Sequence, residues 1–176
     1  MAALKNKEKL GKWLFVLYLI AIIWIILFKF QLHPDDIKLL SDENFGTVNL
    51  EPFQAPKRIN GRIDYTEIIY NILIFVPYGL LFPVVSKHLS TFKKIIIMLA
   101  TTMALEGSQY LFSLGACDIT DVITNLSGGI IGLALYAILR LVLSEEKADR
   151  FLIKSGYLFY LCFWMIYTFF IKSIHI

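Results

Sequence analysis

Residues 115–129, GACDITDVITNLSGG, run straight into residues 130–143, IIGLALYAILRLVL, and the junction between them decides how the chain is read. Two aspartates, an asparagine and a glycine pair stand at the mouth of a segment of membrane length. Crossing a hydrocarbon core about 30 Å thick takes roughly 20 apolar residues, and residues 122–143 meet that. Four other windows come close: residues 13–30, 68–85, 95–114 and 157–171. With 57% hydrophobic and 18% charged residues, the chain carries more apolar side chain than a soluble core of 176 residues could hide. The reading is an all-α, polytopic membrane helix bundle: one domain, residues 1–176, with five transmembrane helices.

The basic residues set an orientation, because cytoplasmic loops collect Lys and Arg. Eleven of the seventeen fall on one side if the N-terminus is inside, including Lys5, Lys7, Lys9, Lys12, Lys87, Lys93 and Lys94. Lys29, Lys38, Lys57, Arg58, Arg62 and Lys172 fall on the other, mostly in a long outer loop between helices 1 and 2 that is diluted by acidic residues. The expectation is N-in and C-out. The basic residues lie at segment ends and form no stripe, so the net charge of +3 gives no reason to expect a nucleic-acid partner. Residues 29–34 after the first segment carry no small-residue cleavage pattern, so it reads as a retained helix. Pro77 and Pro83 are expected to kink the second segment rather than break it. Cys117 and Cys162 fall towards opposite sides of the bilayer, so no disulfide is expected.

That topology brings polar groups to one depth, given a rise of about 1.5 Å per residue. Asn71 lies in the outer turns of the second segment. Glu106 and Gln109 lie about 12 Å and about 7.5 Å below the outer end of the third, taken at Leu114. Asp118 and Asp121 lie in the short link before Asn125. Thr102, Glu106 and Gln109 stand at i, i+4, i+7, and Asp118, Asp121 and Asn125 at i, i+3, i+7, so each set lines one helical face. A carboxylate such as Glu106 meeting lipid would cost several kcal/mol, so it should face a watery or protein-lined cavity. The expected site is an outward acidic cleft formed by Asn71, Glu106, Gln109, Asp118, Asp121 and Asn125. Arg58 and Arg62 would be counter-charges, and the apolar Val48, Leu50 and Phe53 would dip into the interface.

Each element also has a plainer reading. Asp118 followed by Asp121 is the form of a helix N-terminus, one capping and the other in the positive end of the dipole, and Asp64 with Glu67 has the same form. Asn71, Gln109 and Asn125 serve equally as hydrogen-bond links between helices, and Gly128 and Gly132 form a GxxxG packing face where another helix, or a second copy of the chain, can approach. His33, His88 and His175 have no metal-ligand spacing, and no Walker loop, HExxH or Gly-x-Ser-x-Gly is present, so neither a metal nor a cofactor is expected.

Four blocks resemble the VanZ-like family of teicoplanin-resistance membrane proteins. They are VNLEPF at 48–53; NILIFVPYGLL at 71–81; Glu106 with Gln109 and Tyr110; and DITDVITN at 118–125 with Gly128, Gly129 and Gly132. Many members carry an arginine where this chain has Gly115, so any carboxylate partner it provides must come from elsewhere, such as Arg58 or Arg62. The resemblance implies a bacterial plasma-membrane protein that reduces susceptibility to teicoplanin and similar lipid-tailed glycopeptides. On that footing the cleft would bind a membrane lipid, a lipoglycopeptide or a lipid-linked cell-wall precursor. The alternatives are an intramembrane enzyme using Glu106 with Asp118 or Asp121 as acid and base, and a small transporter subunit.

Overall fold

The computed structural model describes residues 2–28, 48–53, 58–59, 62–63, 65–112, 114 and 116–174, with the backbone alone at 2–7, 28, 58–59, 62–63, 163–164 and 166–174. Among these residues it contains five helices: α1 (Ala2–Phe28), α2 (Thr66–Val85), α3 (Thr91–Leu111), α4 (Ile119–Val142) and α5 (Glu145–Ile174). Two-residue strands lie between them: β1 (Val48–Asn49), β2 (Arg58–Ile59), β3 (Arg62–Ile63) and β4 (Cys117–Asp118). Among the described residues, three helical segments are long and apolar enough to cross a membrane: Glu8–Leu27, Thr66–Val85 and Ile119–Val142.

α2 and α4 form the tightest pair, and glycine is the reason. A Cβ on Gly128 would overlap the Ile72 carbonyl, one on Gly132 the Val76 carbonyl, and one on Gly79 the Gly129 carbonyl. Backbone therefore lies on backbone, as small residues at helix interfaces permit. The Gly128/Gly132 face is filled by α2 of the same chain, so it is not the open surface a second copy would need. α3 covers the opposite side, with the wholly buried Met98 laid against Gly129.

α1 closes the bundle. Ile22, Phe75, Tyr78, Phe82, Met98 and Leu133 form the main apolar core, and Leu14, Leu81 and Leu152 a second one that includes α5. Phe15 sits 5.5 Å from the rings of both Tyr78 and Phe82. Pro77 and Pro83 lie inside a continuous α2. Pro77 leaves the Leu73 carbonyl without its helical donor, and at the next residue the Tyr18 hydroxyl donates to the Ile74 carbonyl.

The helix ends follow local chemistry. Ser90 caps α3 by accepting from the Lys93 amide at 3.3 Å. The start of α2 differs from the expected acidic cap: Tyr65 occupies the cap position with no side-chain cap bond, Glu67 lies in the first turn, and Asp64 lies outside the described residues. α3 ends at Leu111, three residues before the expected end, so Glu106 lies about 7.5 Å from the helix terminus rather than about 12 Å.

At the far end of the bundle an ionic cluster ties α2, α4 and α5 together. Lys87 pairs with Glu145 at 2.8 Å and with Asp149 at 2.6 Å, and the Tyr136 hydroxyl donates to Asp149 at 2.9 Å. Desolvation alone would lower the Lys87 ammonium, but the Asp149 and Glu145 carboxylates outweigh it and hold Lys87 above the usual lysine range. Lys87 in turn holds the Glu145 carboxyl below its usual range.

Candidate binding site

The polar cluster is built where α4 begins. Asp118 is the N-cap, in extended backbone at φ −114° and ψ 124°, and its Oδ1 accepts from the Thr120 amide at 2.7 Å. This is the geometry that satisfies a helix's unpaired amides. The helix therefore starts after Asp118, which does not belong to a helical stripe with Asp121 and Asn125 as the spacing implies. The buried face of α4 runs instead through Thr124, Asn125, Gly128 and Gly132, with Asp121 half-buried one turn before Asn125.

The cap carboxylate has a second task. Its Oδ2 accepts from Asn49 Nδ2 at 3.0 Å, while β1 pairs in parallel with β4, Val48 opposite Cys117 and Asn49 opposite Asp118. Asn49 Oδ1 accepts from the Glu51 amide at 3.1 Å, and the Phe53 amide donates to Thr120 Oγ1 at 3.1 Å. Residues 48–53 are thus strapped across the start of α4. Phe53 takes a left-handed φ of 56°, uncommon for a bulky residue, with its amide held by Thr120. Val48, Leu50 and Phe53 all point outward, exposed.

Three further links tie the start of α4 to its neighbouring helices. Glu106, 1% exposed, accepts from the Asp118 amide through Oε2 at 3.2 Å, joining α3 to the cap. Asn71 donates to Asp121 Oδ1 at 2.8 Å, joining α2 to α4. Asn125, wholly buried, donates to Thr102 Oγ1 at 3.0 Å, one turn below Glu106. The α2–α4 glycine contact explains the second link, because the close approach of the Ile72 backbone to Gly128 places Asn71 beside the first turns of α4.

Gln109 is oriented differently. Its Nε2 donates to the Ile26 carbonyl at 2.9 Å and so ties α3 to α1. That bond fixes the amide's orientation, since a flipped amide would set oxygen against oxygen. Gln109 Oε1 and Asn125 Oδ1 are both buried without a hydrogen-bond partner among the described residues.

The three carboxylates converge electrostatically on one point. Burial pushes the Cys117 thiol up, and Glu106, Asp118 and Asp121 all push it further in the same direction. Arg58 and Arg62 belong to the antiparallel β2–β3 pair, Arg58 opposite Ile63, but their side chains lie outside the described residues, as does Gly115. Thr102 is legible in sequence from its spacing with Glu106 and Gln109. Asn49 and Thr120 are site residues that the spacing does not reveal, because a two-residue parallel bridge carries no periodic signal. Among the described residues no group of three or more His, Cys, Asp or Glu could hold a metal ion.

A mostly helical chain with three helices of membrane-spanning length and apolarity, and carboxylates and amides buried between them, is a membrane protein with a polar site in its bundle. The chain belongs to the VanZ/LLP1 family, whose model matches residues 15–140. It is 38% identical over 151 residues to Protein VanZ of Enterococcus faecium, an alignment covering 85% of this chain and 87% of that one. No solved structure matches it.

Proposed function

We propose that this protein lowers bacterial susceptibility to teicoplanin and related lipid-tailed glycopeptides by binding an amphiphile at the Glu106–Asp118–Asp121 cluster. The ligand is the lipoglycopeptide itself or a lipid-linked cell-wall intermediate. The protein crosses the cell membrane five times with its N-terminus inside, an orientation supported by the distribution of Lys and Arg, so the cluster faces outward.

One observation carries the reading: the carboxylates of α3 and of the start of α4 (Glu106, Asp118 and Asp121) are gathered at one place, where Asn71 of α2 and Asn49 of the strap donate to the two aspartates, and two further buried acceptors, Gln109 Oε1 and Asn125 Oδ1, have no donor among the described residues. Such a set favours a ligand that brings donors, ammonium or hydroxyl groups of an amino sugar or glycan, over an anion. The exposed Val48, Leu50 and Phe53 on the strap suit the boundary between headgroups and acyl chains, where a lipid-tailed ligand would arrive. Asp118 and Asp121 already accept hydrogen bonds at 2.7–3.0 Å, which supports holding a ligand over shuttling a proton.

The test is susceptibility to teicoplanin and vancomycin for Glu106→Gln, Asp118→Asn and Asp121→Asn at equal membrane expression. Loss of teicoplanin protection with normal expression is the expected result. A silent Glu106→Gln together with misfolded aspartate variants would leave these residues as structural only.

A further inference from the structure

The cluster under the strap leaves unused a second polar region at the opposite end of the bundle. There α1, the end of α2 and α5 flank a half-open cavity of about 240 Å³. Its floor is apolar: Gly11, Val84 and Ile153. The floor is tightly made, since a Cβ on Gly11 would stand 3.3 Å from Ile153 Cδ1 and 3.4 Å from Val84 Cγ1. Its walls carry four carboxylates, Glu8, Glu145, Glu146 and Asp149, against two cations, Lys87 and Arg150.

Both cations are already committed. Lys87 is held at 2.8 and 2.6 Å by Glu145 and Asp149, and Arg150 at 2.9 Å by Glu146. Asp149, 8% exposed, is further engaged by Tyr136. Glu8 has no ion-pair partner among the described residues and sits exposed on the rim. Arg140, outside the lining, reaches Glu145 at 3.5 Å, so the four carboxylates meet three cations; the remaining negative charge falls at Glu8, and a cationic ligand is the complementary one.

Depth narrows the class. The apolar span of α1 begins at Glu8, and that of α2 ends at Val85, two residues before Lys87. The cavity thus opens where the spans leave hydrocarbon, the level at which phospholipid headgroups lie. At 240 Å³ it is below the roughly 300–1,000 Å³ of a pocket that engulfs a drug-sized ligand, so it suits a headgroup whose acyl chains stay in the bilayer. We propose that this cavity seats the ammonium-bearing headgroup of phosphatidylethanolamine, with Glu8 and Glu146 holding the amine. The phosphate, a few bonds away, is left beside Lys87 and Arg150. A primary ammonium has three N–H donors for these carboxylates, which a quaternary choline headgroup lacks.

The experiment is native mass spectrometry of the delipidated protein in detergent. It is titrated with short-chain phosphatidylethanolamine, phosphatidylcholine or phosphatidylglycerol, and in a separate arm with free ethanolamine as competitor. Phosphatidylethanolamine should be retained at the lowest concentration, about five- to ten-fold below phosphatidylglycerol, as expected for two partly exposed charge pairs. The double variant Glu8→Gln, Glu146→Gln should erase that preference or invert it towards phosphatidylglycerol, because Arg150 is then released. Both positions are exposed, and a melting curve of the variant checks that it is folded. Equal retention of the three lipids by the unaltered protein overturns the proposal, as does an unchanged preference in the folded double variant. Displacement by ethanolamine at matching concentration would also overturn it, making the cavity a site for soluble amines.

Discussion

The α2–α4 contact makes a graded prediction from three glycines that look alike in sequence. A Cβ at Gly132 would stand 2.8 Å from both Gly79 Cα and Leu80 N and would overlap the Val76 carbonyl. All three are backbone atoms, and ordinary contact needs about 3.5 Å, so Gly132→Ala must part the helices by at least about 0.7 Å. A rigid separation of that size takes the Asn71–Asp121 bond from 2.8 Å to about 3.5 Å, the limit of a hydrogen bond. Overpacking costs about 1–3 kcal/mol, and this contact belongs at the upper end because nothing flexible can yield. Gly129→Ala meets only the Met98 thioether sulfur, 2.8 Å away, on a pliable side chain, so its cost should be about 1 kcal/mol. Gly107, in the interior of α3, has nothing within 4 Å of its added Cβ, so Gly107→Ala should stabilise by about 0.5–1 kcal/mol through helix propensity. Thermal unfolding of the three purified variants in one detergent ranks them. If Gly132→Ala melts at or above Gly107→Ala, the backbone-on-backbone account of this bundle is wrong.

Asp118→Ala removes both the α4 cap and the anchor of Asn49; about 1–2 kcal/mol should be lost, and limited proteolysis should begin within residues 48–53. Thr102→Val leaves the wholly buried Asn125 amide without its acceptor, at a cost of about 1–3 kcal/mol in the same melting assay. For pH, the Glu145 carboxyl is held below its usual range by Lys87, so its contribution is complete above the ordinary Glu value of about 4.3 and is lost as pH falls through the folded value. Lys87 is held above its usual range, so its contribution is complete below about pH 10.4 and is lost as pH rises through the folded value. Lys87→Met should therefore flatten the acid limb of a stability-against-pH curve, and an unchanged limb would show that the pair does not couple to folding.

Glu106 and Asp118 show how much of the site the chain makes legible. Glu106 is recognisable because a carboxylate flanked by apolar turns has few inexpensive places to go, and its spacing with Thr102 and Gln109 marks one buried face; all three are nearly or wholly buried. Asp118 supports both readings open to it, since one oxygen caps the helix and the other holds the strap. Depth and helical spacing both group Gln109 with the cleft, yet its amide nitrogen is bound to α1, a partner that neither specifies. The Gly128–Gly132 spacing announces a packing face without saying which helix fills it.

The membrane character, the helical periodicity and the polar face of α3 are determined by the sequence alone, because transfer energy and helical spacing are local properties of side chains in order. The tertiary structure decided the pairings: Asn71 with Asp121, Gln109 with Ile26, Asn49 with Asp118, and α2 as the occupant of the glycine face. Those partners lie 50 to 83 residues apart. For Asn71 the choice was made by how closely the glycine surfaces let α2 and α4 approach, and for the others by the packing of α1 and the strap, which no local spacing encodes.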